Sequence, residues 1–546
     1  MPEFDSMYPH PLLGKLKGSI INNKLLRLSN IPYGQVSQRF SRSTVLFGAL
    51  AEADGKPYDA TSVLPASIQP LKSASIDSKG NQFPLDGVRD FQEPQTEDCL
   101  NLNITLPADT TPTASLPVVV FVHGGAYFLG SGGRPYYEPA NFCLQALENE
   151  RPHIFVSINY RLGALGFFHA VTKEDGLMPP NNGLHDQLTA FEWLRHNLPG
   201  FGGDINNITA IGQSAGGMSL TIHNLSGQKN LWRRSIQLSG SLVTMPFKTS
   251  GGLSNVVSRA RDDDGNGKKL SLDDVVRQLI SRPVDSIRDL AFVGAPCASS
   301  EAAKELFPYR DMLSMRLMRG RAPGSENLES QIVGSCTYDG GISYNMLSSN
   351  PNRKNHANTF IGIVQQRLHE RGQELLDLYD IKADQDDDVA LRKICQFESD
   401  IGFFAASLAQ AQGWPGRSYL LLFDLGNPFE GPLPVRQYAT HTWDIVSLLG
   451  AYEDRLDDQY KEIISNFRDK ILQYAVNGTP PWDAWVPDKG YALLVNAGGV
   501  RVVGKDEYMA PDSRRGRLFS LAERVDGDLG CDSLWDNVCR PFLMRS

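Results

Sequence analysis

The sequence lacks the features that bind nucleic acid, cross a membrane or direct secretion. Its 53 Lys and Arg residues are outnumbered by 62 Asp and Glu residues, giving a net charge of −9, so no basic surplus is available for nucleic-acid phosphates. No apolar run is long enough to span a bilayer. The N-terminal segment contains neither the positive stretch nor the apolar stretch of a secretory signal. We therefore expect a cytoplasmic protein without a nucleic-acid partner or a membrane span.

Cysteine is also scarce. The seven cysteines are odd in number and widely spaced, and none forms a Cys-x-x-Cys pair. This pattern is typical of reduced thiols in a cytosolic protein rather than of a disulfide framework or a zinc site. Cys531 and Cys539 lie close together on a predicted final helix, and whether they pair stays open. We expect no metal and no cofactor.

What the sequence does contain is a candidate nucleophile, Ser214. A short β-prone run over 208–211 leads into the pattern Gly-x-Ser-x-Gly at 212–216. The pattern is typical of a nucleophile elbow, in which the serine lies on a strained strand-to-helix turn and the glycines permit close backbone approach. The backbone N–H of Ala215 would then face a developing oxyanion. Taken alone, the pattern fits an ordinary glycine turn equally well, so its context has to decide.

A second glycine-rich segment lies upstream of this serine. The apolar run 118–122 predicts a strand buried on both faces, and the letters HGGAY (123–127) follow it. Small residues after such a strand leave backbone N–H groups open to a substrate, as an oxyanion hole requires. For two adjacent glycines in isolation, a tight turn is the alternative.

The order of the predicted elements indicates an α/β fold. Residues 12–34 alternate as a hairpin, 41–95 predict a long surface loop, and 271–415 are largely helical by pattern. Between these segments buried strands alternate with helices, which is typical of a mostly parallel central sheet with helices on both faces. We therefore expect a single domain over 1–546, with the helices of 271–415 forming a cap over the substrate site.

Five motifs follow one another along the chain: EDCLNLN (97–103), HGGA (123–126), NYRLG (159–163), FGGD (201–204) and GQSAG (212–216). Together they resemble the type-B carboxylesterase/lipase family, the cholinesterase-like branch of the α/β-hydrolases. The resemblance implies an α/β-hydrolase fold with Ser214 as the nucleophile. It also implies that the backbone amides of Gly125, Ala126 and Ala215 form the oxyanion hole.

The chain order of this fold, nucleophile then acid then histidine, narrows the choice of general base. Only His356, His369 and His441 lie far enough beyond Ser214. The first two have polar neighbours and are predicted to be surface residues. His441 resembles the family's catalytic histidine segment, with an acidic residue, Asp444, three positions later. We predict His441 as the general base, with a structural histidine as the alternative.

For the acid, the segment 332–340 resembles the family's strand, glycine, acid and glycine. Asp339 takes the position that usually holds glutamate. Aspartate is one methylene shorter, so the imidazole has to lie closer to keep the hydrogen bond that fixes its tautomer. A turn aspartate before Gly340 is the alternative. The resemblance further implies that Arg161 pairs with Asp186 beneath the site, in a structural role.

Departures from the family pattern bear on the substrate. Gln213 replaces the glutamate that often precedes the serine, and we predict that it contacts the substrate. No tryptophan occurs over 65–98, where cholinesterases hold a quaternary ammonium, and 66–94 show no clear lid helix. Cys99 lacks the upstream partner that would close this loop by a disulfide. Choline esters and emulsified triglycerides are therefore disfavoured.

Aromatic residues beside the predicted catalytic groups indicate an apolar gorge. Tyr127 and Phe128 follow the glycine loop, and Trp443 comes two residues after the predicted base, so we predict all three as substrate contacts. Phe403 and Phe404 occur in the predicted cap, where ordinary core packing explains them equally well.

The combined prediction is a serine carboxylic-ester hydrolase that acts through an acyl-enzyme on soluble, medium-sized apolar esters. Two alternatives stay open. A substrate hydroxyl in place of water would make it an acyltransferase, or a lactone-forming or lactone-opening enzyme of small-molecule metabolism. A non-catalytic cholinesterase-like binding protein is the alternative of another class, and the complete set of predicted catalytic residues argues against it.

Overall fold

A computed structural model describes residues 4–544 except for 51–54, 85–92, 171–177, 241, 245–270, 289, 291–295, 297–302, 309–313 and 321–327. Within these residues, thirteen strands form one mixed sheet. Twelve are numbered in chain order: β1 Phe4–His10, β2 Gly14–Ile21, β3 Leu25–Pro32, β4 Asn101–Pro107, β5 Leu116–Val122, β6 Ile154–Ile158, β7 Gly203–Gln213, β8 Arg234–Leu238, β9 Ser330–Cys336, β10 Arg417–Asp424, β11 Ala492–Asn496 and β12 Gly499–Val503. The thirteenth, Tyr58–Asp59, pairs with β2.

The strands lie in the order β1-β2-β3-β4-β6-β5-β7-β8-β9-β10-β11-β12. From β6 to β11 every neighbouring pair is parallel, whereas β1 to β4 and the pairs β4–β6 and β11–β12 are antiparallel. The prediction of a mostly parallel central sheet is therefore confirmed. The carboxyl ends of β5, β7 and β9 meet at one edge, where an open α/β sheet binds its ligands.

The α-helices of the described residues surround this sheet. They are α1 Ser73–Gly80, α2 Ala140–Glu148, α3 Gly163–Phe167, α4 Asn182–Asn197, α5 Ala215–Leu225, α6 Leu272–Ser281, α7 Val284–Arg288, α8 Met315–Arg319, α9 Gly341–Ser348, α10 His356–Leu368, α11 Gly372–Leu378, α12 Asp387–Glu398, α13 Ala405–Gly413, α14 Trp443–Leu449, α15 Asp458–Asn477, α16 Lys505–Tyr508, α17 Arg514–Asp526, α18 Gly530–Leu534 and α19 Arg540–Met544. Single π-helical turns, Ser399–Phe404 and Trp535–Cys539, continue α12 and α18.

The central strand β5 explains why helices cover both faces. Val118, Val120 and Val122 pack into the hydrophobic core on one side, while Val119 and Phe121 pack into the core on the other. Each of these five side chains is fully shielded from solvent. A strand that buries both faces reads as a continuous apolar run, which is why this strand could be predicted.

Two segments differ from their predictions. The range 271–415 is largely helical, but it also contains β9, a central strand of the sheet, so it is not a helical insertion throughout. The range 41–95 was expected to be a loop, yet it contains the short helix α1. The hairpin expected over 12–34 is present as β2 and β3, and β1 extends it by a strand that the sequence pattern did not indicate.

Helix α1 is held against the body of the protein by Arg134, whose side chain is fully buried. One guanidinium nitrogen donates to Asp77 at 2.7 Å, another to Glu93 at 3.1 Å and the third to Gln69 at 2.8 Å. All three acceptors belong to the segment around α1. The parallel pairing of Ala66–Ser67 with Gln95–Thr96 brings the two ends of this segment together. The segment is therefore closed by an ion cluster and a strand pair.

Candidate active site

Ser214 lies at the sharp turn between β7 and α5. Its φ of 55° and ψ of −125° belong to a region that non-glycine residues rarely occupy. The turn is tight enough to require glycine on both sides. A Cβ on Gly212 would lie 2.4 Å from the carbonyl oxygen of Gly216, and one on Gly216 would lie 2.0 Å from that of Val122. This geometry is that of a nucleophile elbow.

Asp339 and His441 lie together at the same edge of the sheet. Asp339 follows β9 and His441 precedes α14. Nδ1 of His441 donates to Oδ1 of Asp339 at 2.7 Å, and both side chains are almost completely buried. The ring of Phe403 packs edge-on against the imidazole, with the ring centroids 5.6 Å apart. A carboxylate on Nδ1 leaves Nε2 of a neutral imidazole free to accept a proton.

Three acids shape the electrostatics around His441. Burial alone would lower the pKa of His441, but the hydrogen bond and charge of Asp339, with smaller effects of Asp444 and Asp77, raise this pKa above its ordinary value. Burial, together with the charge of Asp339, raises the pKa of Asp444 to about 6. The hydroxyl of Ser239 donates to Asp444 at 3.0 Å. The imidazole therefore sits in a negative environment that stabilises its protonated form.

The three amides predicted for the oxyanion hole are open to a ligand. Gly125 and Ala126 have positive φ values of 105° and 51°. A Cβ on Gly125 would lie 1.9 Å from the carbonyl oxygen of Leu129, so only glycine fits there. In the described part of the chain, the backbone N–H groups of Gly125, Ala126 and Ala215 donate to no other residue. Unpaired amides at a strained loop and at a helix N-terminus suit a developing negative charge.

A cavity of about 470 Å³ opens above Ser214. Its floor includes Gly125, Ala126, Gln213 and His441. Its apolar walls come from the glycine loop, α1 and α9; the residues are Phe128, Leu129, Ile76, Ile342 and Met346. The predicted substrate contacts Phe128 and Gln213 thus line the same space as the predicted nucleophile.

Tyr127 and Trp443, also predicted as substrate contacts, lie elsewhere. Tyr127 is fully buried, and its hydroxyl lies 3.1 Å from that of Ser219 on α5. Trp443 is buried among core aromatics and packs edge-on against Phe429. Tyr127 has a positive φ of 63°, and Thr442, which precedes Trp443, has a positive φ of 71°. Both predictions are corrected accordingly.

The structure also decides the predictions for His356 and Phe404. His356 was expected at the surface but is buried and packs against Phe542, while His369 is exposed as predicted. Phe404 is core, since it is fully buried and packs against Phe519.

Ile342, which lines the cavity, is not among the residues predicted for the site. Its position in the sequence could have indicated this role, because Ile342 follows Asp339 by three residues, at the start of α9. A helix that begins directly after the predicted acid has to place its first turn near the site. The wall formed by α1 carried no such signal.

The predicted ion pair beneath the site is confirmed. The guanidinium of Arg161 donates to both carboxylate oxygens of Asp186, each at 2.8 Å, and the backbone N–H of Arg161 donates to the same side chain at 3.1 Å. Both residues are buried. A bidentate pair of this kind fixes the loop after β6 against α4.

The cysteines of the described residues are unpaired. Cys99, Cys143, Cys336, Cys395, Cys531 and Cys539 are all free and buried, while Cys297 lies outside the described residues. Cys531 and Cys539 therefore do not form a disulfide with each other. The described residues contain no cluster of three or more His, Cys, Asp or Glu suited to a metal ion. None of their helices is long and apolar enough to cross a membrane.

The mixed sheet, the strained serine between β7 and α5 and the loops after β5 and β9 define an α/β-hydrolase fold. The model of the carboxylesterase family matches residues 14–482, which is most of the chain. The chain belongs to the carboxylesterase family.

Individual relatives match over shorter segments. The para-nitrobenzyl esterase of Bacillus subtilis (strain 168) is 41% identical over 152 residues, which cover 28% of this chain and 29% of the relative. Lipase 1 of Geotrichum candidum is 38% identical over 172 residues, covering 30% of each chain. The bile salt-activated lipase of Homo sapiens is 41% identical over 147 residues, covering 26% of this chain and 19% of the relative. The matches thus span less than a third of each relative's length.

Solved structures match over nearly the whole chain. Two structures of a PNB esterase, both 21% identical, give TM-scores of 0.66 and 0.68 and cover 92% and 94% of this chain and 98% and 99% of theirs. At this identity the likeness establishes the fold alone.

Proposed function

We propose that the protein is a serine carboxylic-ester hydrolase, with Ser214 as nucleophile, His441 as general base and Asp339 as the group that orients the base. One observation carries the proposal: Ser214, His441 and the open amides of Gly125 and Ala126 line the same cavity. Nucleophile, base and anion-binding groups have to converge on one atom of the substrate for acyl transfer. Family membership supports the same chemistry.

The reaction follows from this arrangement. Oγ of Ser214 attacks the ester carbonyl while its proton passes to Nε2 of His441. The amides of Gly125, Ala126 and Ala215 receive the oxyanion. The alcohol leaves with the proton from His441, and water, deprotonated by the same imidazole, then releases the acid from the acyl-enzyme.

The cavity supports soluble, medium-sized apolar esters as the substrate class. Its volume of about 470 Å³ lies within the range of small-molecule sites. Phe128, Ile342 and Met346 line it with apolar surface that would contact short acyl or aryl groups. The buried, unpaired cysteines support a reducing compartment, and we propose the cytoplasm.

A covalent probe tests the reaction class. A fluorophosphonate should label the folded protein at one site, and Ser214→Ala should abolish the label. Labelling that persists in this variant would refute the assignment of the nucleophile. No labelling of the folded wild-type protein would instead favour a non-catalytic binding protein.

An ester series tests the substrate class. The ratio kcat/KM should be highest for short acyl or aryl esters and should fall for long-chain glycerides and choline esters. A rate that rises above the solubility limit of a triglyceride would contradict this expectation. Preference for an added alcohol over water as acyl acceptor would favour the acyltransferase alternative.

A further inference from the structure

Nε2 of His441 already has a partner in the free protein. The amide nitrogen of Gln213 lies 3.3 Å from it. The hydroxyl of Ser214, which has to give its proton to the same nitrogen, makes no hydrogen bond within the described part of the chain. Gln213 is 1% exposed, so water competes little for its amide. The nucleophile and its neighbour in sequence therefore share one acceptor.

The direction of this contact follows from the other side of the ring. Asp339 accepts from Nδ1 of His441 at 2.7 Å, which requires the proton on Nδ1. Nε2 of the neutral imidazole then carries a lone pair and accepts. The NH₂ group of Gln213 is the part of its amide that can donate to that lone pair.

The amide of Gln213 is confined to this place by the glycine loop. A Cβ on Gly124 would lie 2.8 Å from the amide oxygen of Gln213 and 2.7 Å from its backbone oxygen. The side chain is thus enclosed between bare backbone on one side and the imidazole of His441 on the other. With the oxygen held against Gly124, the NH₂ group faces Nε2.

We propose that Gln213 is a positioning residue, whose amide donates to Nε2 of His441 in the resting enzyme and yields this nitrogen to Ser214 when an ester enters. The inference rests on the proposed function and extends it. The amide holds the imidazole in the tautomer that acts as a base. It also stabilises the neutral ring, because a donor on Nε2 bonds to the unprotonated form alone.

The charged surroundings of His441 give this role a measurable effect. The hydrogen bond of Asp339 and the negative charges of Asp339, Asp444 and Asp77 favour the protonated form of the imidazole. The amide of Gln213 is the neutral donor that opposes them. Without it, the base stays protonated to a higher pH, so the acidic limb of the pH profile moves upward.

Two variants test the proposal. Gln213→Met removes the donor at similar volume and should move the acidic limb of kcat/KM upward by about half to one pH unit. Gln213→Glu replaces the donor by a carboxylate and should move it further, by about one to two units. The matched control is Gln237→Met, since Gln237 is buried on β8 and does not line the cavity. In this control variant, the acidic limb of kcat/KM should lie at the same pH as in the wild type.

Active-site titration with the fluorophosphonate separates the two proposals. Wild-type protein that fails to label would refute the proposed function itself. Wild-type protein that labels, with an acidic limb that coincides in wild type and Gln213→Met, would refute only the role of Gln213. If Gln213→Met does not fold, Gln213→Leu decides by the same comparison, because it also removes the donor without adding charge, and an acidic limb that does not move upward in that variant contradicts the proposal.

Discussion

Asp339 and His441 are 102 residues apart in the chain, yet their side chains meet in a 2.7 Å hydrogen bond. Their backbones are aligned by the residues just before them, because Tyr338 and Thr440 form an isolated parallel bridge. This bridge brings the two loops together next to the carboxylate and the imidazole.

The first prediction concerns the proposed catalytic residues. Ser214→Ala and His441→Ala should each lower kcat by about three orders of magnitude or more, because the nucleophile and its base act as a unit. Asp339→Asn should lower it somewhat less. Steady-state kinetics on a short-chain ester measure the losses, with thermal unfolding as the check on folding. Near-normal turnover in His441→Ala would contradict the assignment.

The second prediction concerns the pH profile. The pKa of His441 is raised, so the imidazole stays protonated to a higher pH than free histidine. Activity should therefore rise with pH through a midpoint above about 6.5. Asp339→Asn should lower that midpoint, since it removes the main charge that stabilises the imidazolium. A wild-type midpoint well below that of free histidine would show that the acids do not control the base.

The third prediction compares two glycines. Gly216→Ala should destabilise the protein by about 1–3 kcal/mol and lower activity, because its Cβ would meet the carbonyl oxygen of Val122 at 2.0 Å. Gly362 lies within α10, and a Cβ there would meet no atom within 4 Å. Gly362→Ala should stabilise by about 0.5–1 kcal/mol. Thermal unfolding compares both variants with the wild type. An unchanged melting temperature in Gly216→Ala would mean that the elbow has room for a Cβ at this position.

The fourth prediction concerns Glu398, at the end of α12. It accepts from Ser343 at 2.7 Å, and its other oxygen has no partner among the described residues. Burial raises the pKa of Glu398 from 4.5 to about 8. The folded protein therefore keeps a proton that the unfolded chain releases, and the free energy of unfolding falls as pH rises between these two values, by about 1.4 kcal/mol per unit.

Glu398→Gln removes this titration. Its melting temperature should exceed that of wild type at pH 8, and the difference should shrink towards pH 5. Scanning fluorimetry across this range measures the difference. A gap that is constant with pH would show that Glu398 is ionised in the folded protein.

Elements that are buried on both sides could be predicted from the sequence, because such burial leaves a recognisable residue pattern. The run 118–122 is apolar because β5 has no solvent face, and the glycines around Ser214 are required by contacts that no side chain would permit. His441 could be anticipated because chain order leaves few histidines and its segment resembles that of the family, and Asp339 because the segment 332–340 resembles the family's acid segment. These features depend on local sequence and on a fixed order of elements.

Side-chain direction was harder to predict. Tyr127 and Trp443 adjoin predicted catalytic groups in the sequence, yet both side chains are buried in the core and do not line the cavity. Helix α1 has weak helical pattern, since it carries polar residues on most of its surface, and tertiary contacts of Arg134 hold it in place. Such contacts join distant segments and leave no periodic signal.

The ion cluster at Arg134 bears on how the protein can be made. A segment closed by hydrogen bonds and charges needs no oxidant and no disulfide isomerase, so it can form during synthesis in a cell that keeps thiols reduced. The same hydrogen bonds and ion pairs restrict which amino acids can replace Arg134. The guanidinium uses its nitrogens towards Asp77, Glu93 and Gln69 at once, and lysine offers a single point charge in their place. The closure of this segment should therefore be insensitive to reductant, whereas sequence variation at this arginine should be narrow.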